Sequence, residues 1–129
     1  MERTFLEGTW QDRRTFSPAV VTSGGKMIWL AGHGAIWDDE QNSLVGNFEA
    51  QTHQSFSLLR RTLEKAGGSL ADLVTMTVFI IDTRHGTLFT EIRGDYFRES
   101  DYPASALITV AGFAQPEMMV EIQGVAVIE

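Results

Sequence analysis

Glu121 is a candidate for proton chemistry because it interrupts the otherwise apolar run Met118-Met119-Val120-Glu121-Ile122. Strand alternation puts Glu121 and Gln123 on the face opposite Val120 and Ile122, and two readings fit. In one, the strand is half-exposed with its polar side in water. In the other, the carboxylate is held at a cleft, where desolvation raises its pKa and suits it to proton transfer. Ser105 and Thr109 alternate in the same way along the preceding strand segment, so their hydroxyls would join Glu121 at one site if the two strands lie near each other. His33 sits between Gly32 and Gly34 where a strand ends. Such a break lets backbone approach a ligand while the imidazole offers a donor or acceptor near neutral pH, and a simple turn histidine fits the same residues. His53 falls on a helical segment and His85 at the start of another, as surface histidines do. The three histidines lack metal-ligand spacing, so no metal site is expected. The chain has no cysteine, which excludes a thiolate nucleophile, a disulfide and a thiolate metal site, and it has no nucleophile-elbow sequence.

Alternating strands and helices must position these residues. Strand-like segments cover 4–9, 16–22 and 26–31, the last two separated by Ser23-Gly24-Gly25, which reads as a hairpin turn. From Asn47 the period becomes helical, with Phe48, Phe56, Leu59, Leu63 and Ala66 on one stripe. Asn47 is the expected N-cap and Gly67-Gly68 the left-handed stop. Residues 73–81, nearly all apolar or β-branched, predict a central strand covered on both faces. A second helix is predicted over about 84–98, with Phe89, Ile92 and Tyr96 or Phe97 inward, followed by strands over 104–110 and 118–128. The order is β-β-β-α-β-α-β-β, an α+β fold with two helices packed on one face of a mixed sheet.

At 129 residues the chain can bury about two-thirds of its unfolded surface, and no repeat or linker divides it, so residues 1–129 are expected to form one domain. Seventeen acidic against ten basic residues give a net charge of −7, which repels polyphosphate backbones. Arg13-Arg14 and Arg60-Arg61 are isolated pairs without interleaved aromatics, so nucleic acid is not an expected partner. Apolar runs are only a few residues long, far short of the roughly 20 that span a bilayer, so no membrane partner is expected and a soluble, cytoplasmic protein is.

Several segments carry a family resemblance. They are Met27-Ile28-Trp29-Leu30-Ala31-Gly32, Ala50-Gln51-Thr52, Ala66-Gly67-Gly68-Ser69-Leu70-Ala71-Asp72-Leu73-Val74, Tyr102-Pro103-Ala104 and Val120-Glu121-Ile122-Gln123-Gly124-Val125-Ala126. In this order and spacing the chain resembles the RidA (YjgF) family of reactive-intermediate deaminases. The resemblance implies a chorismate-mutase-like fold and a homotrimer with small-molecule sites between subunits. It also implies cofactor-free hydrolysis of an enamine or imine to a carbonyl compound and ammonia, with a ring-cleavage product of the aminomuconate type among the possible substrates. Glu121 matches the family's last-strand glutamate, which helps with water and protons. Four polar positions of the family are changed here: the carboxylate-clamping arginine is Ser105, a tyrosine is Phe16, a strand-end serine or threonine is Ala31, and a helix asparagine is Thr90. A serine cannot replace a guanidinium for a carboxylate, so Arg93 or His33 is the candidate substitute, although an exposed helix arginine also fits position 93. The alternative function is a non-catalytic small-molecule-binding or regulatory trimer that keeps the cleft. Endoribonuclease activity, reported for some relatives, conflicts with the acidic balance.

Overall fold

Apolar spacing of two in the strands and near 3.6 in the helices sorts the described residues into six strands and two helices. The structure, a computed structural model, describes residues 1–8 and 10–129. Its elements are β1 Glu2–Phe5, β2 Val20–Ser23, β3 Lys26–His33, α1 Phe48–Lys65, β4 Leu73–Ile80, α2 Gly86–Gly94, β5 Ala104–Thr109 and β6 Val120–Ile128. Short 3₁₀ turns at Gln11–Arg14, Leu70–Asp72 and Thr83–His85 join them. This is the α+β order expected from the sequence.

The main sheet has the strand order β3-β6-β4-β5; β4 and β5 run parallel and the other pairs antiparallel. β1 and β2 form a separate antiparallel pair. The turn at Ser23-Gly24-Gly25 is present, with both glycines at positive φ (74° and 80°), but it does not close a hairpin. β2 pairs with β1 and β3 with β6, so the turn hands the chain from one sheet to the other. Turn residues fix a reversal, whereas the strand partner is chosen by longer-range matching, here Ile28 with Ala126 and Leu30 with Gly124. The strand expected over 4–9 ends at Phe5, and Thr9 lies outside the described residues. The strand expected from Phe16 begins only at Val20, because Pro18 has no N–H to contribute to a ladder.

Both helices cover one face of the main sheet. Phe56, Leu59 and Leu63 of α1 and Phe89 and Ile92 of α2 pack with Met76, Val78, Ile80, Val120 and Ile122. The Phe56 ring stacks on Tyr96, with centroids 4.1 Å apart. β4 is central in pairing, yet only its Leu73, Met76, Val78 and Ile80 are buried while Thr75 is exposed, so within one chain the strand is covered on one face rather than both. The other face, called here the open face, carries Trp29 and Met27 at 73% and 55% exposure.

Helix ends follow local chemistry. The Asn47 side chain accepts from the Ala50 amide at 3.0 Å, and Gly67 at φ 88° ends α1. Ala66, expected on the buried stripe, is the exposed C-cap. Asn47→Ala will lower stability by about 1 kcal/mol, read as a shift in the urea midpoint. α2 ends at Gly94 instead of running to about residue 98, where its last amides turn to i−3 carbonyls; Phe97 still reaches the core.

Candidate functional site

Residues directly opposite each other on paired strands share a face, so the register locates every candidate. Ser105 pairs with Met76, and Met76 with Gly124, on the helix side of the sheet. Glu121 pairs with Phe79, and Phe79 with Ile108, on the open face. The single site expected for Ser105, Thr109 and Glu121 therefore does not exist within one chain. β4 lies between β5 and β6, and Thr109, which pairs with the buried Ile80, bonds Thr83 at 3.1 Å instead. Strand alternation was read correctly, but the intervening strand and the relative phase of β5 and β6 depend on topology.

On the open face a β-bulge shapes the surroundings of Glu121. Leu30 pairs with Gly124 and His33 with Ile122, so three steps along β3 answer two along β6. Gly32 thereby lies against Glu121: a Cβ on residue 32 would stand 2.5 Å from the carboxyl carbon and 2.8 Å from Oε2. Among the described residues Glu121 has no hydrogen bond or ion pair, and it is half-buried. Ala31 is exposed beside it, and its carbonyl lies 2.7 Å from His33 Nδ1. A carbonyl only accepts, so Nδ1 donates, and in the neutral ring Nε2 accepts from the Thr62 hydroxyl at 2.8 Å. His33 thus faces α1, where it lines a separate cavity of about 270 Å³ with Arg61 and Lys65.

The helix side holds the second cluster. Arg93 is 2% exposed, not the solvated helix arginine that its position also allowed. Its Nε donates to Thr15 Oγ1 at 3.2 Å, Nη1 to Ser105 Oγ at 2.7 Å and Nη2 to the Arg14 carbonyl at 2.9 Å. Its Cζ lies 5.4 Å from the Phe16 ring centroid and 5.2 Å from that of Phe89. Burial, reinforced by the charge of Arg14, pulls the guanidinium pKa down to about 10, still cationic at neutral pH. Phe16 is placed by its neighbour Ser17, whose amide bonds the Pro103 carbonyl at 3.0 Å and whose hydroxyl bonds that of Tyr102 at 2.6 Å. Thr90 turns its hydroxyl back to Gly86 O at 2.8 Å and Thr87 O at 3.0 Å, within its own helix. Phe16, Thr90, Arg93 and Ser105 line one cavity of about 390 Å³ together with Trp10, Arg14, Ala106 and Leu107.

The sequence reading missed Trp10, Arg14 and Thr15. Nothing in the residue types signals Thr15, a β-branched residue at φ 62°. The burial of Arg93 was legible, because it shares an i, i+3, i+4 stripe with Phe89 and Ile92. Among the described residues, no group of three His, Asp or Glu side chains is placed to hold a metal ion.

Two helices over one face of a mixed sheet, with a carboxylate on the open face and a guanidinium-lined cavity on the other, define the class. Solved structures share this fold. A Yersinia pestis protein of the conserved Rid family has a TM-score of 0.85 and 25% identity, covering 99% of this chain and 100% of its own. RidA of an Antarctic Psychrobacter has a TM-score of 0.72 and 32% identity, covering 88% and 89%. A Mycobacterium tuberculosis member of the YjgF/YER057c/UK114 family shares the fold at a TM-score of 0.68 and 23% identity, covering 98% and 100%. The sequence profile described as endoribonuclease L-PSP matches residues 11–128, and the chain belongs to this family, the Rid/YjgF proteins. Membership is consistent with small-molecule processing or an endoribonuclease-like role.

Proposed function

We propose that the protein is a cofactor-independent hydrolytic deaminase of imines or enamines, acting in clefts between the subunits of a homotrimer. The observation that carries this reading is Glu121, a carboxylate with no hydrogen bond or ion pair among the described residues, backed by Gly32 on the open face. Trp29 and Met27 on that face are the kind of exposed apolar surface that a second copy covers. The helix-side cavity holds Arg93 and Ser105, with Phe16 and Thr90, as the substrate-binding group; Ala31 and Gly32 border the Glu121 side, and His33 faces α1 as a more distant member of the group.

The chemistry asks little of the protein. An enamine first takes a proton on its β-carbon to become an iminium. Glu121 accepts a proton from a water whose oxygen adds to the C=N carbon, giving a carbinolamine. The same proton is returned to nitrogen, the C–N bond breaks and ammonia leaves, while the carbinolamine hydroxyl gives its proton to the Glu121 carboxylate as the carbonyl forms; Glu121 then releases that proton to solvent. Holding the water and the electrophilic carbon together supplies much of the rate.

Seventeen acidic residues against ten basic ones favour a small-molecule substrate over RNA. Ammonia release from freshly generated 2-imino acids and from an aminomuconate-type enamine tests the reading. Release proportional to protein, and lost in Glu121→Gln, is the expected result. A folded protein that releases none from any of them overturns it in favour of a non-catalytic small-molecule-binding or regulatory trimer. Gly32→Ala gives an independent check: its Cβ displaces the carboxylate, so turnover will fall about 10²-fold, while circular dichroism remains native.

A further inference from the structure

A buried cation normally meets a carboxylate, and Arg93 does not. Its hydrogen bonds go to a threonine hydroxyl, a serine hydroxyl and a main-chain carbonyl, all neutral. Among the described residues it makes no ion pair. Arg14 lines the same cavity and likewise has no hydrogen bond or ion pair of its side chain among them. Among the described side chains, no Asp or Glu lines the cavity. Two like charges with no carboxylate beside them among the described side chains repel each other across this space, an arrangement that an anionic occupant relieves. Strain is held at the same place. Thr15, at φ 62°, joins Arg14 to Phe16, and its hydroxyl, which accepts from Arg93 Nε, lies 2.7 Å from the carbonyls of both Arg14 and Thr90. A β-branched residue keeps this conformation only where its surroundings enforce it, and here it fixes the two arginines relative to each other. The remaining walls are Trp10 and Phe16, packed edge to face with centroids 5.6 Å apart, and Leu107, which suit a flat carbon skeleton. At about 390 Å³ the cavity is in the range of small-molecule sites.

We propose that this cavity binds a small planar dicarboxylate, one carboxylate taken by Arg93 and the other by Arg14. As a statement about binding this stands on the cavity alone. As a statement about the substrate, an imine or enamine carrying two carboxylates, it rests on the deaminase reading. Ser105 then has a defined part. Its hydroxyl holds Nη1 of Arg93, so it is a positioning residue that aims the guanidinium into the cavity.

Calorimetric titration of the full-length protein at fixed ionic strength tests the proposal, with fumarate and trans-glutaconate as dianions of two lengths. Crotonate is the monoanion matched to fumarate in shape, and inorganic phosphate controls for charge alone. At least one dicarboxylate is expected to bind tenfold or more tightly than crotonate and phosphate. Arg14→Gln, on the less buried of the two side chains, will remove that preference and leave crotonate unchanged. Equal binding of dianion and monoanion, a preference for phosphate, or an Arg14→Gln protein that keeps the preference each overturns it. Glu121→Gln separates this proposal from the deaminase reading. Dicarboxylate binding without turnover of any imine leaves the cavity assignment standing and removes the deaminase. Turnover without a dianion preference does the reverse.

Discussion

Glu121→Gln will retain the fold and lower turnover of an accepted imine by about 10²–10⁴-fold, the usual contribution of a positioned general base. Glutamine keeps the size and polarity of the side chain and removes only its ability to accept a proton. Because Glu121 has no hydrogen bond or ion pair among the described residues, little stability depends on its charge. The thermal midpoint is therefore expected to stay close to that of the native protein. A mutant that unfolds would assign the carboxylate a structural role. A mixing experiment adds a second readout. The helix-side cavity and Glu121 lie on opposite faces of the same sheet, so a shared site needs two copies of the chain. Ser105→Trp, whose side chain lies on the helix side against Arg93, blocks the other half of such a site. Subunits of the two inactive variants, unfolded and refolded together, will regain part of the activity. No recovery in a mixed oligomer would refute the two-copy site.

Gly124→Val will destabilise the protein by about 3 kcal/mol or more, the range of severe overpacking. A Cβ on residue 124 would stand 2.5 Å from the Thr75 carbonyl oxygen and 3.3 Å from Leu73 Cδ2. The nearest atom is backbone of the neighbouring strand, which cannot retreat without opening the ladder between β4 and β6. Gly112→Ala is the control: a Cβ there meets nothing within 4 Å, and its effect should stay within about 0.5 kcal/mol. Guanidinium denaturation of both variants checks the difference, and a Gly124→Val protein of near-native midpoint would contradict the contact.

The order of elements was legible because burial imposes a period, and the periods of strands and helices differ. Asn47, Gly67 and the stripe from Phe48 to Leu63 each announced their place. Partnership between elements was not legible. Nothing local to Ser23-Gly24-Gly25 says that β3 will leave β2 for β6, and nothing local to Ser105 says that β4 will come between it and Glu121. The anomaly of Glu121 in an apolar strand was visible as composition, whereas the absence of a partner for it among the described residues required coordinates. Arg93 shows the intermediate case, its burial written in helical spacing and its neighbours Arg14 and Thr15 brought in by a distant turn.

The bulge in β3 works as a parity switch. With a regular ladder from Leu30, the partner of Glu121 would be His33, and imidazole and carboxylate would stand side by side as mutual neutralisers. One extra residue changes odd to even, sends the imidazole through to the helix side and leaves a glycine, which can neutralise nothing, beside the carboxylate. The chain thus keeps a carboxylate and the nearest imidazole apart by the thickness of a single strand, using the insertion of one residue.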